Sequence, residues 1–143
     1  MSTAIIPAIV AAGVSLYIVF LGRMSETIRQ LQSMRTSAYA DFVRGIAGLA
    51  IVQSDSVRSR EQFIKESEML ILVAEAKARI AIYGGESVIH SMASFLRGGS
   101  VLNSPEIISR FTALCQEMRS DSQSRKAPGK VENRDVSFLL FGE

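Results

Sequence analysis

The chain has 143 residues, sixteen basic and fourteen acidic side chains, and a formal net charge of +2. That balance excludes a protein whose main affinity comes from neutralising many phosphates. One cysteine excludes an internal disulfide, and one cysteine with one histidine excludes the usual zinc ligand sets.

All the charged residues lie from Arg23 onward, a length that suits one domain with its own core. Before them, residues 4–22 form an uncharged run broken only by Pro7, Gly13 and Ser15. At about 1.5 Å per residue, a helix of that length covers roughly the 30 Å of a bilayer core, so the run reads as a transmembrane anchor. A cleavable signal peptide fits less well: there is no basic n-region, the apolar run is long, and Gly22-Arg23-Met24 is a poor cleavage site. Arg23, Arg29 and Arg35 follow the span and residues 1–3 hold no Lys or Arg. The expectation is therefore a single-pass protein with its N-terminus outside and residues 23–120, a helical bundle, in the cytoplasm. Pro7 falls in the first turn, where its missing amide donor matters little. Ala4, Ala8, Ala12 and Ser15 share one face of the span, a small-residue surface that another membrane helix could approach.

From Met24, apolar residues recur every three to five positions through Ile28, Leu31, Met34, Tyr39, Phe42, Ile46 and Leu49, the pattern of one amphipathic helix. Ser25 could cap a fresh helix, or the anchor could continue through Gly22. Gly45 and Gly48 inside this helix point to a close helix contact. Ser54-Asp55-Ser56 is a stop, and Ser59 is an N-cap for a second helix over about 60–83, closed by Gly84 and Gly85 in the left-handed conformation. Its run Met69-Leu70-Ile71-Leu72-Val73-Ala74 predicts burial on every face. Glu61/Lys65 and Glu75/Arg79 are favourable (i, i+4) pairs. A third helix over 86–97 has Val88, Ile89, Met92, Phe95 and Leu96 on one face and ends at Gly98-Gly99. A fourth opens with Ser104 as N-cap and Pro105 at its first position, and carries Ile107, Ile108, Phe111, Leu114, Cys115 and Met118 on one face. Residues 121–134 read as a flexible linker, and 135–143 as an apolar C-terminal tip whose Val136, Phe138, Leu139, Leu140 and Phe141 would dock on the bundle, on a partner or on a membrane. The predicted fold class is all-α: an N-terminal transmembrane helix followed by a small antiparallel bundle of about four helices.

Three segments carry a resemblance: Arg35 through Phe42, Ala78-Arg79-Ile80 through Tyr83-Gly84 with Val88, and Met118-Arg119 with Asp121. Together they are similar to a recurring pattern in bacterial single-pass membrane proteins that have no assigned activity. The resemblance implies an inner-membrane location and a small helical domain, and it transfers no functional residue.

A search for chemistry finds little. His90 borders the apolar face of the third helix without a cysteine or acid at a matching offset, and Cys115 sits on a core face. Glu66, Glu68 and Glu75 form no paired-carboxylate spacing. Gly84-Gly85 and Gly98-Gly99 follow helices and lack the Lys-Ser/Thr of a phosphate loop. Arg58, Arg60, Arg125, Lys126 and Lys130 make modest basic patches without interleaved aromatics, more apt for a membrane surface than for nucleic acid. No catalytic, cofactor or metal residue is assigned. The expected role is a non-enzymatic, membrane-anchored interaction or accessory module that binds a protein partner or itself, with no nucleic acid and no small-molecule substrate. The alternatives are an enzyme whose site assembles at a subunit interface from residues such as Glu75, Tyr83 and His90, or a membrane-active protein whose tip also inserts.

Overall fold

The computed structural model describes residues 5–123 apart from 57 and 100, with side chains from residue 14 onward. Among the described residues the chain is all-α, with α1 (Ile5–Ser54), α2 (Arg60–Tyr83), α3 (Glu86–Arg97) and α4 (Pro105–Gln123). Two compact units divide it, Met1–Leu31 and Gln32–Glu143. α1 covers both the apolar run and the amphipathic stripe that follows, so Ser25 starts no new helix.

In the first unit the described side chains of the apolar run lie open. Val14, Leu16, Tyr17, Ile18, Val19, Phe20 and Leu21 are all exposed. Among the described residues no helix is long and apolar enough to cross a membrane. From Val14 the run lasts only to Gly22 before Arg23, Glu26 and Arg29 interrupt it, so the transmembrane helix expected over 4–22 is not supported on this stretch. Of the expected small-residue face only Ser15 has a described side chain, and it is exposed; Ala4, Ala8 and Ala12 lie outside those described. Residues 124–143, with the tip Val136, Phe138, Leu139, Leu140 and Phe141, lie outside the described residues too.

The second unit is a small helical bundle. Tyr39, Phe42, Ile46 and Leu49 of α1 recur at three- and four-residue steps and are buried, because that spacing holds them on one stripe. They meet Val73, Ala76 and Ile80 of α2, Val88, Ile89, Met92 and Phe95 of α3, and Leu114 and Met118 of α4 in one core cluster. Each fully buried large side chain contributes about 1.5–3 kcal/mol relative to exposure. Phe95 sits at the centre: its ring meets Phe42 edge-on at 6.4 Å and Phe111 at 5.3 Å.

The helix starts follow their caps. Ser59 and Gln62 form a reciprocal capping box at α2, and the Ser104 hydroxyl accepts the Ile107 N–H at 3.3 Å at α4. α3 ends at Gly98, and Gly99 takes the left-handed backbone with φ of +97°. Gly84 and Gly85 differ from expectation. Both are extended, with φ of −66° and −71°, and what they supply is space: a Cβ at Gly84 would lie 2.5 Å from the Ile80 carbonyl oxygen, and one at Gly85 would overlap Asp121 Oδ1.

α2 also differs. The run from Met69 to Ala74 is not buried all round, since Leu70 and Ile71 are 52% and 60% exposed and Ala74 is exposed. The described bundle covers one side of α2, and an unbroken apolar run on a helix reaches both sides. Arg79 bypasses Glu75 and pairs with Asp41 of α1, although Glu61 and Lys65 do pair at 3.3 Å.

Gly45 and Gly48 face α2. A Cβ at Gly45 would meet Val73 Cγ2 at 2.5 Å, and one at Gly48 would meet Met69 Sδ at 2.6 Å. Val73 is β-branched and buried, whereas the end of Met69 can swing away. Gly45→Ala is expected to destabilise the bundle by about 1–3 kcal/mol despite its gain in helix propensity. Gly48→Ala should be neutral or stabilising by up to about 1 kcal/mol. Urea unfolding followed by helical circular dichroism measures both.

Candidate functional site

The most deeply buried charge in the bundle is Arg35, on α1 and 1% exposed. It lies one helical turn before Tyr39 and two before Phe42, so the apolar stripe itself carries the guanidinium inward. There Arg35 Nε donates to the Tyr83 backbone carbonyl at the end of α2, and Nη1 lies 3.8 Å from Asp121 Oδ1, on α4. The Tyr39 hydroxyl donates to Asp121 Oδ2 at 2.5 Å, and the Gly85 N–H reaches the Tyr39 hydroxyl at 3.1 Å and Asp121 Oδ2 at 3.3 Å.

This arrangement satisfies two helix ends at once. The last carbonyls of α2 carry partial negative charge and receive a cation, while the first amides of α3 carry partial positive charge and receive an anion. α3 has no side-chain cap hydrogen bond, and its N-cap residue is Gly85; the carboxylate of α4 accepts the N–H of that residue. The approach is possible because Gly85 has no Cβ in the space Asp121 occupies.

The phenol of Tyr39 is shifted far above its ordinary range, first by burial and then by its hydrogen bond to Asp121, with the Gly85 N–H acting weakly the other way. The hydroxyl therefore remains a donor throughout the neutral range. The hydroxyl donates its proton to the carboxylate and accepts the Gly85 N–H, so the donors and acceptors named here face one another inside the bundle. Chemically the cluster orients and clamps.

A second ionic group flanks it nearer the surface. Asp41 accepts Arg79 Nη2 at 2.5 Å and Arg44 Nη2 at 3.0 Å, and Arg79 Nη1 reaches Ser37 Oγ at 3.5 Å. These partners are partly solvated, so their contribution is small, at most about 1 kcal/mol.

The residues named for an interface enzyme are not brought together. Glu75 and His90 are exposed on α2 and α3. Tyr83 lines a shallow groove of about 420 Å3 with Met34, Arg79 and Ile82. Cys115 is half-buried beside a second, apolar groove of about 500 Å3 that includes Ala40, Val43 and Met118, and burial pushes its thiol up. Arg58 and Arg60 border a third of about 510 Å3 together with Asp55 and Glu66, so the basic patch is interleaved with acids. Among the described residues no three His, Cys, Asp or Glu side chains are grouped so that they could hold a metal ion.

Sequence reasoning missed Arg35, Tyr39 and Asp121 as a unit. By composition Asp121 reads as the first linker residue, whereas α4 runs on to Gln123. A signal was present: an arginine falling on an apolar helical stripe needs a buried counter-charge. Each of the three segments that carry the resemblance also supplies one part of the clamp, through Arg35 and Tyr39, Tyr83, and Asp121. No family model, curated protein or solved structure matches the chain.

Removing the carboxylate strands Arg35 in the interior. Asp121→Ala is expected to destabilise the bundle by about 3–5 kcal/mol, measured by urea unfolding. For Tyr39 the raised pKa fixes the sign of an alkaline effect: its contribution is fully present below the unfolded value near 10 and is lost as pH rises from there toward the folded value. Stability should fall above about pH 10 by up to about 1.4 kcal/mol per pH unit from this group. Tyr39→Phe should remove that part of the slope in unfolding curves taken across the alkaline range.

Proposed function

We propose that the chain is a non-enzymatic interaction module held at a membrane by residues 4–22, single-pass, with its helical bundle on the cytoplasmic side of a bacterial inner membrane. The observation that supports the anchor is the exposure of Val14, Leu16, Tyr17, Ile18, Val19, Phe20 and Leu21, each 46% to 72% open. Consecutive residues of a helix point in all directions, so this stretch presents hydrocarbon on every side. Lipid is the solvent that such a surface suits, and residues 4–13 extend the same uncharged composition upstream.

Orientation rests on the basic residues after the run. Arg23 and Arg29 are exposed, and Arg35 lies within the same window although it ends in the interior of the bundle. The interaction role is supported by α2, which presents large apolar side chains on the side away from the core. Such a face is the usual mark of a surface that meets another macromolecule.

The test is topology labelling in a Cys115→Ser background. Ser2→Cys should react with a membrane-impermeant maleimide on intact cells, Gln123→Cys should react only after permeabilisation, and the protein should stay in the membrane pellet after alkaline carbonate extraction. Release into the carbonate supernatant would overturn the anchor, and the reverse labelling pattern would overturn the orientation.

A further inference from the structure

α2 enters the core through Val73, Ala76 and Ile80. At about 100° per residue, the opposite side of the helix carries Ile64, Ser67, Ile71, Ala74, Ala78 and Ala81, in an unbroken alternation of three- and four-residue steps. Ile64 and Ile71 are 49% and 60% exposed, and Phe63, Leu70 and Ile82, which flank the stripe, are 71%, 52% and 67% exposed. This is the spacing of a helix–helix seam; among the described residues Ile64, Ile71 and Ala74 of the seam are exposed and Ser67, Ala78 and Ala81 are half-buried.

We propose that the seam of α2 is a self-association surface whose occupant is the α2 of a second copy of this chain. The inference rests on the membrane-anchored reading in one respect: copies held in one membrane share a plane, which raises their effective concentration for each other above that of any dissolved partner. Three features of the face fit a second copy. The seam positions contain no charge, so nothing in them selects an unlike partner by its sign. Isoleucines at one set of positions and Ser or Ala at the other allow two such helices to approach closely with large side chains beside small ones. The five large side chains, 49% to 71% exposed, lie along one helix, and a contiguous apolar surface of that kind is what the core of an interface is built from.

The experiment uses the full-length chain in membranes, again with Cys115→Ser. Ile71→Cys stands near its own symmetry mate whether the two helices run parallel or antiparallel. A short bismaleimide should therefore link it into a covalent dimer of twice the mass, while Ala113→Cys, at an exposed position on α4, should not link. In detergent, the wild-type chain should sediment as a dimer and Ile71→Glu as a monomer with unchanged helicity, a twofold drop in protein mass. Absence of the Ile71→Cys dimer together with a monomeric wild type would overturn the proposal. So would an intrachain link between Leu70→Cys and Phe138→Cys, which would make the C-terminal tip the occupant, or quenching of a fluorophore on Ile71→Cys by lipid-borne quenchers, which would make it the bilayer. Carbonate extraction separates the two readings: a cross-linked dimer released by carbonate removes the anchor and keeps the seam, and a monomer retained in the pellet does the opposite.

Discussion

An arginine that is 1% exposed is the constraint around which the bundle is arranged. A buried guanidinium without compensation is far too unfavourable for a small domain, so its position dictates what must surround it. Three other parts of the chain answer that demand: the end of α2 with a carbonyl, the start of α3 with an amide that fixes the phenol and carboxylate, and the end of α4 with the carboxylate itself. The apolar core alone could accommodate several helix arrangements of similar burial. The ionic cluster admits few, because its hydrogen bonds have direction and its charges have sign.

The same economy explains the division of labour along α2. Its inner side brings Val73 and Met69 against α1 at Gly45 and Gly48, where the missing Cβ atoms leave room for them. Its outer side keeps a second set of large apolar residues that the described bundle leaves uncovered. α2 is thus apolar on two sides, of which the described bundle covers one. The helix takes part in both features, giving its last carbonyl to the polar cluster and an open apolar face to the surface.

Local chemistry makes much of this fold legible. The limits of α2 and α3 and the start of α4 follow from Ser59, Gly84, Gly98, Ser104 and Pro105, because caps and breakers act within one turn of where they stand. Of the core positions of α3, Val88, Ile89, Met92 and Phe95 follow from periodicity, whereas Leu96 is half-buried and Ala93 is buried without having been expected. What does not follow are the choices made between distant residues. Arg79 has an acid one turn away and takes Asp41 instead, because tertiary packing brings the α1 carboxylate to it. Gly84 and Gly85 look like helix-ending glycines of the left-handed kind, and their real requirement is the volume left for Ile80 and Asp121, which no neighbour in sequence announces. The hydrophobic run of α2 shows that the helix is apolar on both sides but not which side the chain itself covers. The candidate site is therefore less readable than the fold: the groups it pairs lie 36 (Gly85 and Asp121) to 86 (Arg35 and Asp121) residues apart.

That separation bears on biogenesis. Translation delivers Arg35 early and Asp121 late, with Tyr83 and Gly85 between them. Before α4 is made, the guanidinium lacks the carboxylate it faces in the folded bundle, which makes its burial less favourable. Synthesis in chain order therefore leaves the cluster, and with it the full stability of the bundle, to be completed by the last helix described.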